Sequence, residues 1–97
     1  MALINDYLNT NQEKLALYTT AITRAHGKNH PEAFAVRELY TKIEAKVKAA
    51  GTDQPNLVAE FEQLREVTDH YTVPGDVCET YEAVYKTLEE ADRIYSA

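Results

Sequence analysis

The sequence predicts an all-α fold, an antiparallel up-down-up-down four-helix bundle that forms one domain over residues 1–97. Three observations indicate this fold. Apolar residues recur at helical spacing through almost the whole chain. The three glycines and three prolines cluster at the connections between the helical segments. These connections are about three to five residues long, which favours antiparallel neighbours in a bundle.

The first two helices are predicted on either side of a glycine and a proline. Helix 1 spans about residues 2–25 and ends before Gly27, and Asn11 lies within its apolar stripe. Helix 2 begins at Pro31, whose fixed φ suits the first helical position, and ends before Gly51. The expected buried faces are Ile4, Tyr7, Leu8, Leu15, Tyr18, Ile22 and Ala25 in helix 1, and Val36, Leu39, Tyr40, Ile43 and Val47 in helix 2.

The last two helices are predicted around a second proline. Helix 3 starts near Asp53 or Pro55, with Asp53 as the expected N-cap. Residues 71–73 are expected to be extended, because a residue before proline is disfavoured in the helical region. Helix 4 spans about residues 75–95. The expected buried faces are Leu57, Val58, Phe61, Leu64 and Thr68 in helix 3, and Val77, Cys78, Tyr81, Val84, Tyr85, Leu88 and Ala91 in helix 4.

The composition excludes several classes of function. The formal net charge is −6, so the surface is poorly suited to nucleic acid or to an anionic membrane, both of which need a basic patch. Cys78 is the only cysteine, so no internal disulfide forms, which fits a reducing cytoplasm. We expect neither a signal peptide nor a membrane span. With no nucleophile–base pattern and no phosphate-binding loop, the sequence predicts neither catalysis nor a bound cofactor.

Three groups of segments, which together touch all four predicted helices, resemble a known family. They are residues 6–8 with the segment 24–32, residues 39–40, and the segment 64–74 with residues 77–81 and 83–85. In these segments the chain resembles the iron–sulfur cluster repair di-iron proteins, whose bundle is hemerythrin-like. The resemblance implies a hemerythrin-like fold and a link to nitrosative stress.

The family holds two irons with histidines and glutamates, and here the resemblance is incomplete. Among the ligand positions only His26 matches, whereas Asn5, Ala50 and Gln54 stand at three others, and the helix-4 ligands would fall at or beyond Ala97. A di-iron carboxylate site takes about six or seven protein ligands, with Glu-x-x-His pairs, and the sequence has no such pair. The resemblance therefore implies a shortened member that lacks most of the metal ligands.

Two candidate sites contain histidine or cysteine. His26 and His30 have the spacing of a helical metal pair, but Gly27 lies between them. The alternative is that His26 bonds near a helix end and His30 caps helix 2. Cys78 lies at the first turn of helix 4, where the helix dipole favours a thiolate and a redox or nitric-oxide sensing role. The alternative, a small buried apolar residue beside Tyr81, is the interpretation that we favour.

Further candidates are polar residues on the predicted helices. Glu66 and His70 are four residues apart and form either a pH-sensitive pair or a solvated surface contact. Asn11 either fixes the register or the choice of partner, or meets a polar group of another helix. The seven tyrosines suit either a pocket or subunit interface, or packing at the bundle rim.

The sequence leaves three hypotheses of function open. The first is a non-catalytic binding or regulatory module, with a homo-oligomer or another protein as its partner. The second is a residual metal-binding protein in which His26, His70 and carboxylates from two chains form an intersubunit site. The third is a thiol sensor that uses Cys78.

Overall fold

The structure is a computed structural model, and it describes residues 3–97. Within this range the regular structure is entirely helical, and no strand is present. The five helices are α1 (Leu3–Thr10), α2 (Gln12–His26), α3 (Glu32–Ala50), α4 (Val58–Val67) and α5 (Glu79–Ser96). The prediction of an all-α fold is therefore confirmed, but the prediction of four helices is wrong.

The additional helix arises because helix 1 is interrupted at Asn11. The Asn11 side-chain Nδ2 donates to the backbone oxygen of Tyr7 at 2.8 Å, and an amide that bonds to nearby backbone competes with the helical hydrogen bonds. The backbone amides of Asn11 and Leu15 still bond four residues back, at 3.1 Å and 2.9 Å. The two helices thus keep helical hydrogen bonding up to and beyond the break. Ala2, where this helix was expected to begin, lies outside the described residues.

The boundaries of α3 agree with the sequence, whereas α4 and α5 begin later than predicted. Leu57, with φ of −112°, occupies the N-cap position of α4, so the prediction of Asp53 as N-cap is wrong. Asn56 takes part in this turn, because its Oδ1 accepts from the amide of Val58 at 3.3 Å. In α5 the N-cap is Cys78, whose backbone is extended. The residues before these caps form irregular connections.

One hydrophobic cluster draws on all five helices. Its buried members are Ile4, Leu8, Leu15, Ile22, Ala33, Val36, Leu39, Tyr40, Ile43, Val47, Leu57, Phe61, Leu64, Tyr71, Tyr81, Val84, Tyr85, Leu88 and Ala91. All five residues predicted to be buried in α3 belong to it. Three predictions of burial are wrong: Ala25 and Cys78 are exposed, and Val58 is 50% exposed.

The helices are packed into a body of 38 × 22 × 18 Å. The helix α2 contacts α3 and α5, α3 contacts α4, and α1 contacts α5. Side chains join α4 to α5, because the Tyr95 hydroxyl accepts from the backbone amide of Leu57 at 2.9 Å. None of the helices described over residues 3–97 combines the length and the apolar character that crossing a membrane requires.

The chain leaves α4 through a left-handed turn. Asp69, His70 and Tyr71 have φ values of 51°, 56° and 61°, a conformation that disfavours residues with a Cβ. The prediction that Tyr71 is extended is therefore wrong. Several hydrogen bonds hold the turn, among them that from the His70 amide to the Arg65 carbonyl at 2.7 Å and that from the Tyr71 amide to Thr68 Oγ1 at 2.8 Å.

Candidate functional site

The last turn of α2, the connection to α3 and the start of α5 meet at one end of the molecule. We call this cluster the His–Cys end, and it consists of His26, His30, Asp76, Cys78 and Tyr81. The hydrogen bonds within it join residues that lie 46 and 52 positions apart in the chain. Tertiary structure, not local sequence, therefore assembles the cluster.

The imidazole of His26 contacts the thiol of Cys78. The distance from His26 Nε2 to Cys78 Sγ is 3.3 Å, and the Cys78 side chain is exposed. When the ring is neutral and Nε2 carries no proton, the thiol donates to this nitrogen. The interpretation of Cys78 as a buried apolar residue is therefore wrong, because α5 begins after this residue and the first turn does not carry it inward.

His30 is held by two carboxylates. Its Nε2 lies 2.9 Å from Asp76 Oδ1 and its Nδ1 lies 3.3 Å from Glu32 Oε2. Partial burial lowers the pKa of His30, but the hydrogen bonds and charges of Asp76 and Glu32 outweigh it, so the pKa is raised above its ordinary value. The His30 carbonyl also accepts from the Ala33 amide at 3.0 Å at the start of α3. His30 therefore ties the connection after α2 to the segment before α5.

The Tyr81 ring contacts both imidazoles of the His–Cys end. Its ring meets the His26 ring edge-on, with centroids 5.4 Å apart and an interplanar angle of 87°, and the His30 ring lies 5.8 Å away. The Tyr81 hydroxyl is 3.0 Å from that of Tyr85. Burial, followed by this hydrogen bond, raises the pKa of Tyr81. A buried neutral aromatic surface thus fixes both imidazoles.

Gly27 lies where a side chain would not fit at the end of α2. A Cβ at this position would clash with the backbone oxygen of Thr23 and with the ring of Phe34. Its φ is −58°, an ordinary helical value. The glycine therefore avoids a clash with the backbone of the last turn of α2, and it does not form a left-handed cap.

The residues present do not fit a di-iron centre. Over residues 3–97 no group of three or more His, Cys, Asp or Glu side chains could together hold a metal ion. Asn5 Nδ2 donates to the carbonyls of Gly51 at 3.3 Å and Asp53 at 2.7 Å, so this position is part of a hydrogen-bonded connection between α3 and α4.

His26 and Asn5 lie at opposite ends of the molecule. His26 contacts Cys78, whereas Asn5 contacts Gly51 beyond the far end of α3. The 15 residues of α2 alone span about 22 Å, and Asn5 precedes this helix. His26 is therefore separated from the other positions that the resemblance assigns to iron.

The structure also separates Glu66 from His70. The helix α4 ends at Val67, and the left-handed turn redirects His70 before the next helical turn could form. Both side chains are exposed, and no hydrogen bond or ion pair joins them within the described part of the chain. Of the two alternatives for Glu66 and His70, the pH-sensitive pair is therefore not formed.

A buried carboxylate that the sequence did not indicate lies in the last turns of α5. Asp92 accepts from the hydroxyl of Tyr71 at 2.8 Å, from Arg65 Nε at 2.8 Å and from Ser96 Oγ at 3.0 Å. Burial, followed by the hydrogen bond to Asp92, raises the pKa of Tyr71. The contact fastens the left-handed turn to α5. No local pattern marks it, because Asp92 resembles any charged residue of an amphipathic helix.

The chain matches no protein-family model and no solved structure.

Proposed function

We propose that this protein is a non-catalytic regulatory module that senses thiol-reactive compounds through Cys78, with His26 as the base that activates the thiol. One observation carries the proposal, namely the 3.3 Å distance between His26 Nε2 and an exposed Cys78 Sγ. A thiolate is the reactive form of cysteine, and a neighbouring imidazole that accepts the thiol proton favours it.

Two further features support an activated thiol at this position. Cys78 is the N-cap of the 18-residue helix α5, and the positive end of a helix dipole favours a negative charge there. His26 is held in place by the ring of Tyr81, so its Nε2 stays directed at the sulfur. Exposure of the sulfur gives reagents in solution access to it.

The proposed reaction is thiol–disulfide exchange with a low-molecular-weight disulfide. His26 takes the proton of Cys78, and the thiolate attacks one sulfur of the disulfide. One sulfur–sulfur bond forms and one breaks, and the leaving thiolate takes the proton back from His26. Since the chain has no second cysteine, the product is a stable mixed disulfide, which suits a sensor better than an oxidoreductase.

The proposal extends to ancestry and architecture. We propose that the five helices derive from an antiparallel up-down-up-down bundle of the hemerythrin-like type, in which α1 and α2 correspond to one interrupted helix. The segments that resemble the iron–sulfur cluster repair di-iron proteins support this relation, as do the contacts of α2 with α3 and α5 and of α3 with α4. A cytoplasmic location and a role in nitrosative or oxidative stress fit the same proposal.

The test is the rate of mixed-disulfide formation with a small aromatic disulfide at neutral pH, followed by mass spectrometry. We expect the native protein to react faster than free cysteine, and His26→Asn to lower the rate about tenfold. Asparagine keeps a polar side chain of similar size but cannot accept the proton and carry it as a cation.

His30→Asn is the matched control. His30 lies at the same end and contacts the same tyrosine, but its ring nitrogens bond to Asp76 and Glu32. We expect this variant to retain most of the rate. A native thiol no faster than free cysteine, or equal losses in the two variants, would contradict the role of His26.

A further inference from the structure

Carboxylates border the His–Cys end on several sides. Asp76, Glu79 and Glu82 flank Cys78 in the chain, and Glu32 lies at the start of α3. Over residues 71–85 the chain contains no lysine or arginine. The sequence around the exposed sulfur is therefore acidic.

Glu79 and Glu82 lie in the first turn of α5, next to the sulfur. Glu79 follows Cys78 directly, and the Glu82 amide donates to the Cys78 carbonyl at 3.1 Å. Both side chains are exposed, and neither forms an ion pair or a side-chain hydrogen bond within residues 3–97. Lys86, the next basic residue of the chain, lies about one helical turn farther from the sulfur than Glu82. The two carboxylates are therefore open to a reagent that approaches Cys78.

The carboxylates around His30 leave a negative charge in either protonation state of its ring. Asp76 and Glu32 contact the two ring nitrogens at 2.9 Å and 3.3 Å. A protonated ring balances one of these charges, and a neutral ring balances neither. After burial and a hydrogen bond to another tyrosine, the charges of the same two carboxylates raise the pKa of Tyr81. The potential beside the imidazoles is therefore negative.

The basic residues of this end lie on the opposite side of the turn. The His30 amide donates to the His26 carbonyl at 2.7 Å, so one helical turn joins the two imidazoles. Arg24 and Lys28 lie two residues before and after His26, and residues two apart on a helical turn do not face each other. When His26 has taken the thiol proton, its positive charge balances the thiolate. The remaining charge that a reagent meets is therefore that of the carboxylates.

We propose that the substrate of Cys78 is a small disulfide that carries a positively charged amine close to its sulfur atoms, and that Glu79 and Glu82 select it. Because the substrate is assigned to an activated thiol, this inference rests on the proposed function. The thiolate bonds to one sulfur, the sulfur–sulfur bond of the reagent breaks, and the other half leaves as an aminothiol with the proton from His26. Opposite charges raise the rate of encounter, whereas a disulfide that carries carboxylates is repelled.

The test compares symmetric disulfides that carry aminoethyl, hydroxyethyl or carboxyethyl groups. Mixed-disulfide formation on the full native chain is followed by mass spectrometry at about pH 7. Each rate is divided by the rate of the same disulfide with an uncharged small thiol, which removes differences in intrinsic reactivity. At an ionic strength of about 0.1 M we expect the normalised rate of the aminoethyl disulfide to exceed that of the carboxyethyl disulfide about tenfold, and about 1 M salt to reduce this ratio to about twofold.

The variant Glu79→Gln/Glu82→Gln tests the two selecting residues, and we expect its ratio to fall below about threefold. Loss of the carboxylates changes the reactivity of the thiolate toward every disulfide alike, so the ratio responds to the charge of the reagent. Glu82→Gln and Glu89→Gln are a matched pair, because both glutamates are exposed on one side of α5, two turns apart. We expect Glu82→Gln to lower the ratio about twofold and Glu89→Gln to leave it nearly unchanged.

The outcomes distinguish a wrong substrate class from a wrong function. A native thiol that reacts fast with the hydroxyethyl disulfide, but at equal normalised rates with the two charged ones, would overturn the substrate class alone. An unchanged ratio in Glu79→Gln/Glu82→Gln, or equal losses in Glu82→Gln and Glu89→Gln, would do the same. A native thiol no faster than free cysteine toward the hydroxyethyl disulfide would overturn the proposed function, and this inference with it.

Discussion

The two ends of the molecule hold their polar groups in different ways. At the end that contains the last turns of α5 and the connection between α3 and α4, Asn5 and Asp92 are 2% and 7% exposed and have several hydrogen-bond partners. At the His–Cys end, Cys78 and Asp76 are exposed, and each meets one imidazole. We call the first end the closed end, because its polar groups are buried and hydrogen-bonded. The His–Cys end instead leaves reactive atoms accessible to solvent.

This difference bears on the family resemblance. Three of the four internal positions at which the resemblance expects metal ligands, those of Asn5, Ala50 and Gln54, fall at or near the closed end. There the Asn5 amide bonds to backbone carbonyls. The imidazoles and the thiol lie at the other end. Substitutions at the closed end should therefore change stability without changing thiol reactivity, whereas His26→Asn should change thiol reactivity with little effect on stability.

The largest effect is expected from Asp92→Ala. This change leaves the Tyr71 hydroxyl buried without its acceptor and removes the partner of Arg65. Removing one member of a buried ion pair costs about 3–5 kcal/mol, but Arg65 is partly exposed, so we expect a loss of about 2–3 kcal/mol. Urea unfolding followed by circular dichroism measures it.

Asp76→Ala is the matched control for Asp92→Ala at the other end. Its carboxylate is exposed, and the ion pair that it forms within the described part of the chain is with His30, so we expect a loss below about 1 kcal/mol. If the two variants were equally stable, the distinction between a closed and an open end would be wrong.

A smaller effect is expected from Asn5→Leu. The variant loses the donors to Gly51 and Asp53, but it also removes Asn5 Oδ1, which is buried without a hydrogen-bond partner among residues 3–97. These contributions partly cancel, so we expect a loss of about 1 kcal/mol.

Asn5→Asp separates the two contributions, because aspartate keeps the unpartnered oxygen and cannot donate. We expect a loss of about 2–3 kcal/mol for this variant, since it places a carboxylate against two carbonyl oxygens. Thermal unfolding ranks the variants, and an aspartate variant at least as stable as the leucine variant would refute this account of Asn5.

The smallest expected effect is a pH dependence of the free energy of unfolding, which arises from His30. Its pKa is raised in the folded protein, so its contribution to stability is fully present below the unfolded value of about 6.5 and is lost as the pH rises through the folded value. The native protein should therefore exceed His30→Gln in stability by more at about pH 5.5 than at about pH 8.5. Urea midpoints at the two pH values test this, and a difference that grew with pH would have the wrong sign.

Helical periodicity predicted the elements well where burial decides them. The face of α3 is correct at every predicted position, from Val36 to Val47. The errors fall where a single polar or tertiary contact overrides the pattern. Asn11 bonds to Tyr7 and divides the first helix, and the Tyr71 hydroxyl is drawn to Asp92 across a left-handed turn. No pattern of period 3.6 contains that information.

The candidate site was predicted only as separate residues. His26 and Cys78 were both singled out, but 52 positions separate them, and a local pattern cannot join them. One signal was available: in an alternating order of four helices, the end of the first lies beside the start of the last. The same argument would have separated His26 from Asn5, which lies in the first turn of the first helix.

The central claim is that the fold activates Cys78 through its contact with His26. The most direct measurement is the alkylation rate of Cys78 by iodoacetamide at neutral pH, in the native protein and in the same chain unfolded in urea, with a small thiol as the reference for the effect of urea itself. The account predicts that the native thiol reacts faster than the unfolded one. A native rate equal to or below the unfolded rate would contradict it.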